Sequence, residues 1–128
     1  MAPLVSVVLP LPPSTNALYC NVPGRGRVPT AKFREWKRLV APVLSHVQPV
    51  TVFPVAIALT IRGGKGWRSN SDLSNREKAA VDALVEANII PDDSVKYVRR
   101  IIIQFEEPAD RRAEAAIWIA VTAMGVDP

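Results

Sequence analysis

A chain of 128 residues, 48% hydrophobic and 22% charged, can bury one core and is too short for two ordinary domains; we expect one soluble domain over residues 1–128. No apolar run approaches the roughly 20 residues needed to span a bilayer, which excludes a helical membrane anchor. The formal charge of +4 is unevenly spread: residues 1–70 hold nine Lys/Arg against the single acid Glu35, whereas the remainder holds seven against eleven acids. A basic half beside an acidic cluster suits a protein that attracts a polyanion with one surface and holds a cation with another.

In chain order, MAPLVSVVLPLPP lacks a basic leader and is broken by prolines. It therefore reads as an edge strand near Leu4 to Leu9 rather than a signal peptide, and places the protein in the cytoplasm. The turn Leu11-Pro12-Pro13-Ser14 follows, then a loop from Asn21 to Pro29 in which Gly24-Arg25-Gly26-Arg27 is flexible and cationic. The lone Cys20 cannot form an intrachain disulfide and has no histidine beside it, which excludes a zinc or thiol-protease constellation and leaves a small, at least half-buried thiol.

From Thr30 the apolar residues Phe33, Trp36, Val40, Val43, Leu44 and Val47 recur at helical spacing, with a kink expected at Pro42. His46, near the end of that helix, is read as structural. Thr51 to Ile61 is a second strand, and a Gly-rich loop through Trp67 and Arg68 leads to 70-NSDLSNREKAAVDAL-84. Ser74-x-x-Glu77 fits a capping box opening a helix from Ser74 to about Asn88, where Asn88 is a stop signal. After Pro91-Asp92-Asp93 come strands near Lys96 to Phe105 and Ala113 to Thr122, joined by a solvated hairpin turn. The order of elements gives an α+β fold with one mixed β-sheet packed by two main helices. Trp36 and Trp118 are expected in the core and Trp67 over a sheet edge.

Capping leaves Asp72, Asn75, Lys78 and Asp82 unexplained. Asp72 precedes the helix, where the dipole favours an anion, and Asn75, Lys78 and Asp82 fall at i, i+3 and i+7 on one stripe. Asp92 and Asp93 follow the helix. A carboxylate before the helix and another after it can meet if strand and loop fold back, and oxygen ligands of that kind suit Mg²⁺ or Mn²⁺. Spacing alone is weak support, because acids before helices and in Pro-Asp-Asp turns also serve as caps.

The segment DLSNREKAAVDALVEANIIPDDSVKYV resembles the signature of the RusA family of Holliday junction resolvases, endodeoxyribonucleases of phage and prophage origin. That signature runs Asp-aliphatic-Asp-Asn-x-x-Lys, then Asp-Ala-Leu in a helix, then paired aspartates before a strand. LPLPPSTNALY and 115-AAIWIAVTAMG-125 resemble the family's first and last strands, so the likeness covers nearly the whole chain. It implies a homodimeric, Mg²⁺-dependent nuclease that binds branched DNA, the four-way junction, and nicks two strands symmetrically. Matched by position, Asp72, Lys78 and Asp93 are the implied catalytic residues, with Asp72, Asp93 and Asp92 as metal ligands and Ser74, Asn75 and Asp82 in supporting roles. Arg25, Arg27, Arg68 and Arg76 are candidates for phosphate contacts. The departure is Ser74, which stands where the best-known members carry an essential aspartate and which cannot supply a negative charge. Three accounts stay open: Asp72 and Asp93 suffice with Asp92 or water, the enzyme is weak, or the protein binds junctions without cutting them.

Overall fold

Apolar residues in four segments of the chain build the sheet, alternating between its two faces in three of them. In the computed structural model, which describes residues 2–68 and 70–125, β1 (Val5–Pro10), β4 (Val55–Arg62), β5 (Val98–Glu106) and β6 (Ala116–Ala123) form one mixed sheet in the order β1-β6-β4-β5. Strand β6 lies antiparallel to both β1 and β4, while β4 and β5 are parallel. Parallel neighbours require a crossover, and α2 (Glu77–Glu86) supplies it. The expected hairpin between the last two strands is not formed, because β4 lies between them. Its pattern of acids and arginines marks a turn without saying which strands the turn joins.

One face of the sheet carries Val5, Leu9, Val55, Ile57, Leu59, Ile61, Ile117, Ile119 and Val121, all buried. Helix α1 (Ala31–Leu44) lays Phe33, Trp36, Val40 and Leu44 on that face, and α2 adds Ala79, Ala80, Ala83 and Leu84. Trp36 is in the core as expected, its indole N–H donating to the Pro10 carbonyl at 2.8 Å. Trp118 is not. With period 2 along β6 it falls on the opposite face, 41% exposed, and its Nε1 donates to Ser6 Oγ at 2.8 Å. Cys20 is likewise exposed rather than half-buried, because it lies on an outlying ribbon.

That ribbon is the second departure from the sequence reading. The segment expected to be a flexible loop is a hairpin of β2 (Tyr19–Val22) and β3 (Gly26–Pro29), turned by Gly24 and Gly26 at φ of 77° and 75°. Thr30 then caps α1: its Oγ1 accepts from Phe33 N at 3.2 Å and donates to Ala17 O at 2.6 Å. The helix runs through Pro42 and ends at Leu44.

The start of α2 also differs. Leu73–Arg76 form a 3-10 turn, the α-helix begins only at Glu77, and neither Asp72 nor Arg76 makes a side-chain cap bond. The capping box does not form because Ser74 lies inside that turn, with its carbonyl accepting from Glu77 N, instead of in the extended conformation of a cap. The other end is as the sequence foretold: Asn88 takes φ 60°, Asn88 N donates to Val85 O and Ile89 N donates to Leu84 O, both at 3.0 Å, which is a Schellman stop.

Candidate functional site

The block around Asp72 is held by neighbours far away in sequence. Thr15 Oγ1 donates to the Asn75 carbonyl at 3.0 Å, and Arg76 Nη1 donates to the Pro12 carbonyl at 2.6 Å. The loop after β1 and the 3-10 turn before α2 are therefore tied together, and the cap bond from Thr30 to Ala17 O fixes the same loop from its other side. Arg76 stacks over Trp67 at 5.6 Å, and Trp67 leans on Phe105 of β5 with ring centroids 5.7 Å apart. Trp67 thus packs on β5, an edge strand of the sheet, as expected. Burial pulls the Arg76 guanidinium below its ordinary pKa, and its Nε has no hydrogen-bond partner. So much of Arg76 is engaged inward that its remaining surface, rather than the whole side chain, is what a phosphate could meet.

Beside this block opens a cleft of about 1270 Å³ at the end of the sheet where β4 finishes. Asp72, Asn75 and Arg76 line it from one side, Lys65 and Arg68 from the loop after β4, and Lys32 from α1. Two further carboxylates, Glu35 and Glu114, share the lining. Glu35 is already bound in a bidentate pair to Arg38, with contacts of 2.6 and 3.0 Å, and that hydrogen bonding holds its carboxyl below the usual range. Glu114 pairs by backbone with Lys65, a bridge that passes so close to Gly64 (φ 149°) that a Cβ there would run into the Ala113 carbonyl. The sequence reading missed Lys32, Lys65 and Glu114 as cleft residues. Gly63-Gly64 just before Lys65 was the available sign that another strand approaches there closely.

Of the residues singled out from the sequence, Asp72, Asn75, Arg68 and Arg76 meet in this cleft. Ser74 is exposed in the 3-10 turn. Lys78 and Asp82 pair with each other across one helical turn at 3.3 Å. Arg25 and Arg27 sit on the outlying hairpin, Arg27 over the Tyr19 ring at 4.7 Å, away from the cleft lining. His46 is exposed just beyond α1.

Asp92 and Asp93 are elsewhere. Val55 N at the start of β4 donates to Tyr97 O, and Val98 N to Ser94 O, so the turn after α2 lies at the opening end of β4. Asp72 lies at its closing end. With α2 and the 3-10 turn between them, the two carboxylates stand on the order of 20 Å apart within one chain, and the expectation that they meet by folding back is not met. Asp92 is an exposed turn residue whose carboxylate accepts from Ser94 N at 2.7 Å, and that bonding to Ser94 lowers its pKa. Among the described residues no three His, Cys, Asp or Glu side chains come together to hold a metal ion. Within one chain, then, Asp72 and Asp93 do not share a cation site. Among the described residues, too, no helix is long and apolar enough to cross a membrane.

Comparison with known proteins adds a relationship. Proteins named crossover junction endodeoxyribonuclease RusA from Escherichia coli strain K12 and from Escherichia coli O139:H28 strain E24377A are each 30% identical to this chain over 97 residues, covering 76% of it and 80% of the relative. No family model matches the chain.

Proposed function

We propose a function from one premise: the chain belongs to the RusA family of crossover junction endodeoxyribonucleases. It acts on four-way DNA junctions, hydrolysing one phosphodiester in each of two symmetrically related strands, with Mg²⁺ required and Mn²⁺ as a substitute. The observation that carries this reading is the position of Asp72, Asn75 and Arg76, from the DLSNREK block, on the wall of a cleft whose rim holds Lys32, Lys65 and Arg68. Those cations suit the phosphates of a DNA arm, and Asp72 is an exposed carboxylate beside them, with Glu35 and Glu114. Lys78, exposed and held only by Asp82, supplies a positive charge near the start of α2 for the anion that develops as the phosphodiester breaks. Two related cuts call for two sites related by a two-fold axis, which a homodimer provides. Such a protein works in DNA recombination and repair and belongs in the cytoplasm.

Ser74 favours a second reading. An exposed hydroxyl at that position cannot replace a carboxylate, so the chain could hold junctions without cutting them. A denaturing-gel assay on an end-labelled synthetic four-way junction, with and without Mg²⁺ and beside a linear duplex of the same sequence, separates the two. Paired nicks confined to the junction with metal support the nuclease. Tight junction binding with intact strands supports the binding protein, and equal, weak binding to junction and duplex overturns both.

A further inference from the structure

Residues 1–34 hold Arg25, Arg27, Lys32 and Arg34 and no acid at all. Among the described residues none of these four cations is in an ion pair. What separates the cluster from an ordinary solvated face is its mount. Thr30 N donates to the Leu18 carbonyl at 2.9 Å and closes the β2–β3 ribbon at its root, where the Tyr19 ring stands edge-on to the buried Phe33 at 5.6 Å. At the tip, between Gly24 and Gly26, Arg25 N donates to Val22 O at 3.0 Å. Period 2 along the ribbon puts Tyr19, Asn21, Arg27 and Pro29 on one face and Cys20, Val22 and Val28 on the other. On the first face the Arg27 guanidinium lies over the Tyr19 ring at 4.7 Å, and Arg34 Nη1 reaches from α1 to the Pro29 carbonyl at 2.7 Å. A guanidinium stacked in this way is held in place and still offers its N–H groups to a phosphate.

The ribbon also springs from the cleft. Ala17, before it, and Ala31 and Lys32, after it, line the cleft wall. A DNA backbone that leaves the cleft past Lys32 therefore runs along the ribbon. From Pro29 back to Arg25 the ribbon extends roughly 14 Å, at about 3.4 Å per residue, and phosphates follow one another along a strand at roughly 3.4 Å of rise. Arg27 and Arg25 are thus spaced for phosphates about two and about four nucleotides beyond the one at Lys32. A flexible loop would spread those charges over many positions, whereas a built ribbon holds them at one.

We propose that the β2–β3 ribbon is a second phosphate-binding site, outside the cleft, which grips the duplex arm that leaves the cleft past α1, with Arg25 and Arg27 as its contacts. This grip rests on the junction-binding reading above and not on cleavage.

Cys20 carries a probe without any mutation, being the sole cysteine, exposed, and on the ribbon face away from Arg27. With an iron–EDTA group coupled to it and Mg²⁺ left out, ascorbate and peroxide should cut a bound, end-labelled four-way junction in a cluster several nucleotides out from the branch point. Cuts at the branch point alone, or none from a chain that binds the junction, would overturn the grip. The double variant R25Q/R27Q should lower the slope of log affinity against log salt by about two, and R25K/R27K should restore it, since lysine keeps the charge. An unchanged slope in the glutamine variant would overturn the grip, as would a lysine variant that matches it in both slope and affinity. Tethered cuts on an arm, from a chain that leaves junctions whole when Mg²⁺ is supplied, would overturn the nuclease reading and keep the grip. Nicking of the junction without tethered cuts would do the reverse.

Discussion

Removing the Thr30 hydroxyl should loosen the whole mount of the cleft. Thr30→Ala deletes an N-cap, worth about 1 kcal/mol, and a half-buried bond to the Ala17 carbonyl, worth about another 1 kcal/mol. Near 60 °C unfolding entropy is roughly 2.1 cal/mol/K per residue, so a 128-residue chain changes stability by about 0.27 kcal/mol per kelvin. A loss of about 2 kcal/mol then lowers Tm by roughly 7 °C, measured by circular dichroism at the helix signal. Thr30→Ser keeps both bonds and should cost less than half as much. Because the loop freed in Thr30→Ala also carries Thr15, whose hydroxyl anchors Asn75, binding of the junction should weaken at temperatures well below the new Tm. Equal losses in the Ala and Ser variants would refute the reasoning, since the methyl group and not the hydroxyl would then account for the effect.

Asp72→Asn should abolish nicking and leave junction affinity within about threefold, because an amide retains the size and loses the charge; a gel that shows undiminished nicks would remove Asp72 from the chemistry. Ser74→Asp should raise the nicking rate at saturating Mg²⁺ by more than about tenfold if the missing carboxylate limits this chain, and no change would mean that Asp72 and its partners suffice. Arg68→Gln should reduce the slope of log affinity against log salt by about one, measured by fluorescence anisotropy on a labelled junction; an unchanged slope would place Arg68 away from the phosphates. Gly64→Ala should cost more than about 2 kcal/mol in a urea titration, since both its φ and the neighbouring Ala113 carbonyl oppose a side chain, and a neutral result would show that the β5–β6 connection yields.

The sequence was most legible where period and punctuation agree. Phe33, Trp36, Val40 and Leu44 mark α1 because each lies three or four residues from the next, and Asn88 marks the end of α2 because few other residues tolerate its backbone angles. Trp118 was misread because an alternating strand says that successive residues face opposite ways without saying which face the helices cover. The β2–β3 ribbon was hidden by its short strands and its arginines, and only the two left-handed glycines hinted at a turn. At the site, the acidic block was readable one residue at a time. What no spacing could convey is that α2 is a crossover: its two ends lie at opposite ends of a parallel pair, so residues flanking it in sequence are driven apart in space.

The strand order also dictates a timetable. The last of the described strands, β6, occupies the middle of the sheet and is the neighbour of both β1 and β4. A nascent chain can assemble α2 with the parallel pair β4 and β5 as it leaves the ribosome, but β1, finished more than a hundred residues earlier, has no partner until β6 emerges. Until that moment Val5 and Leu9 have no strand beside them on which to close, so the burial of β1 waits on β6.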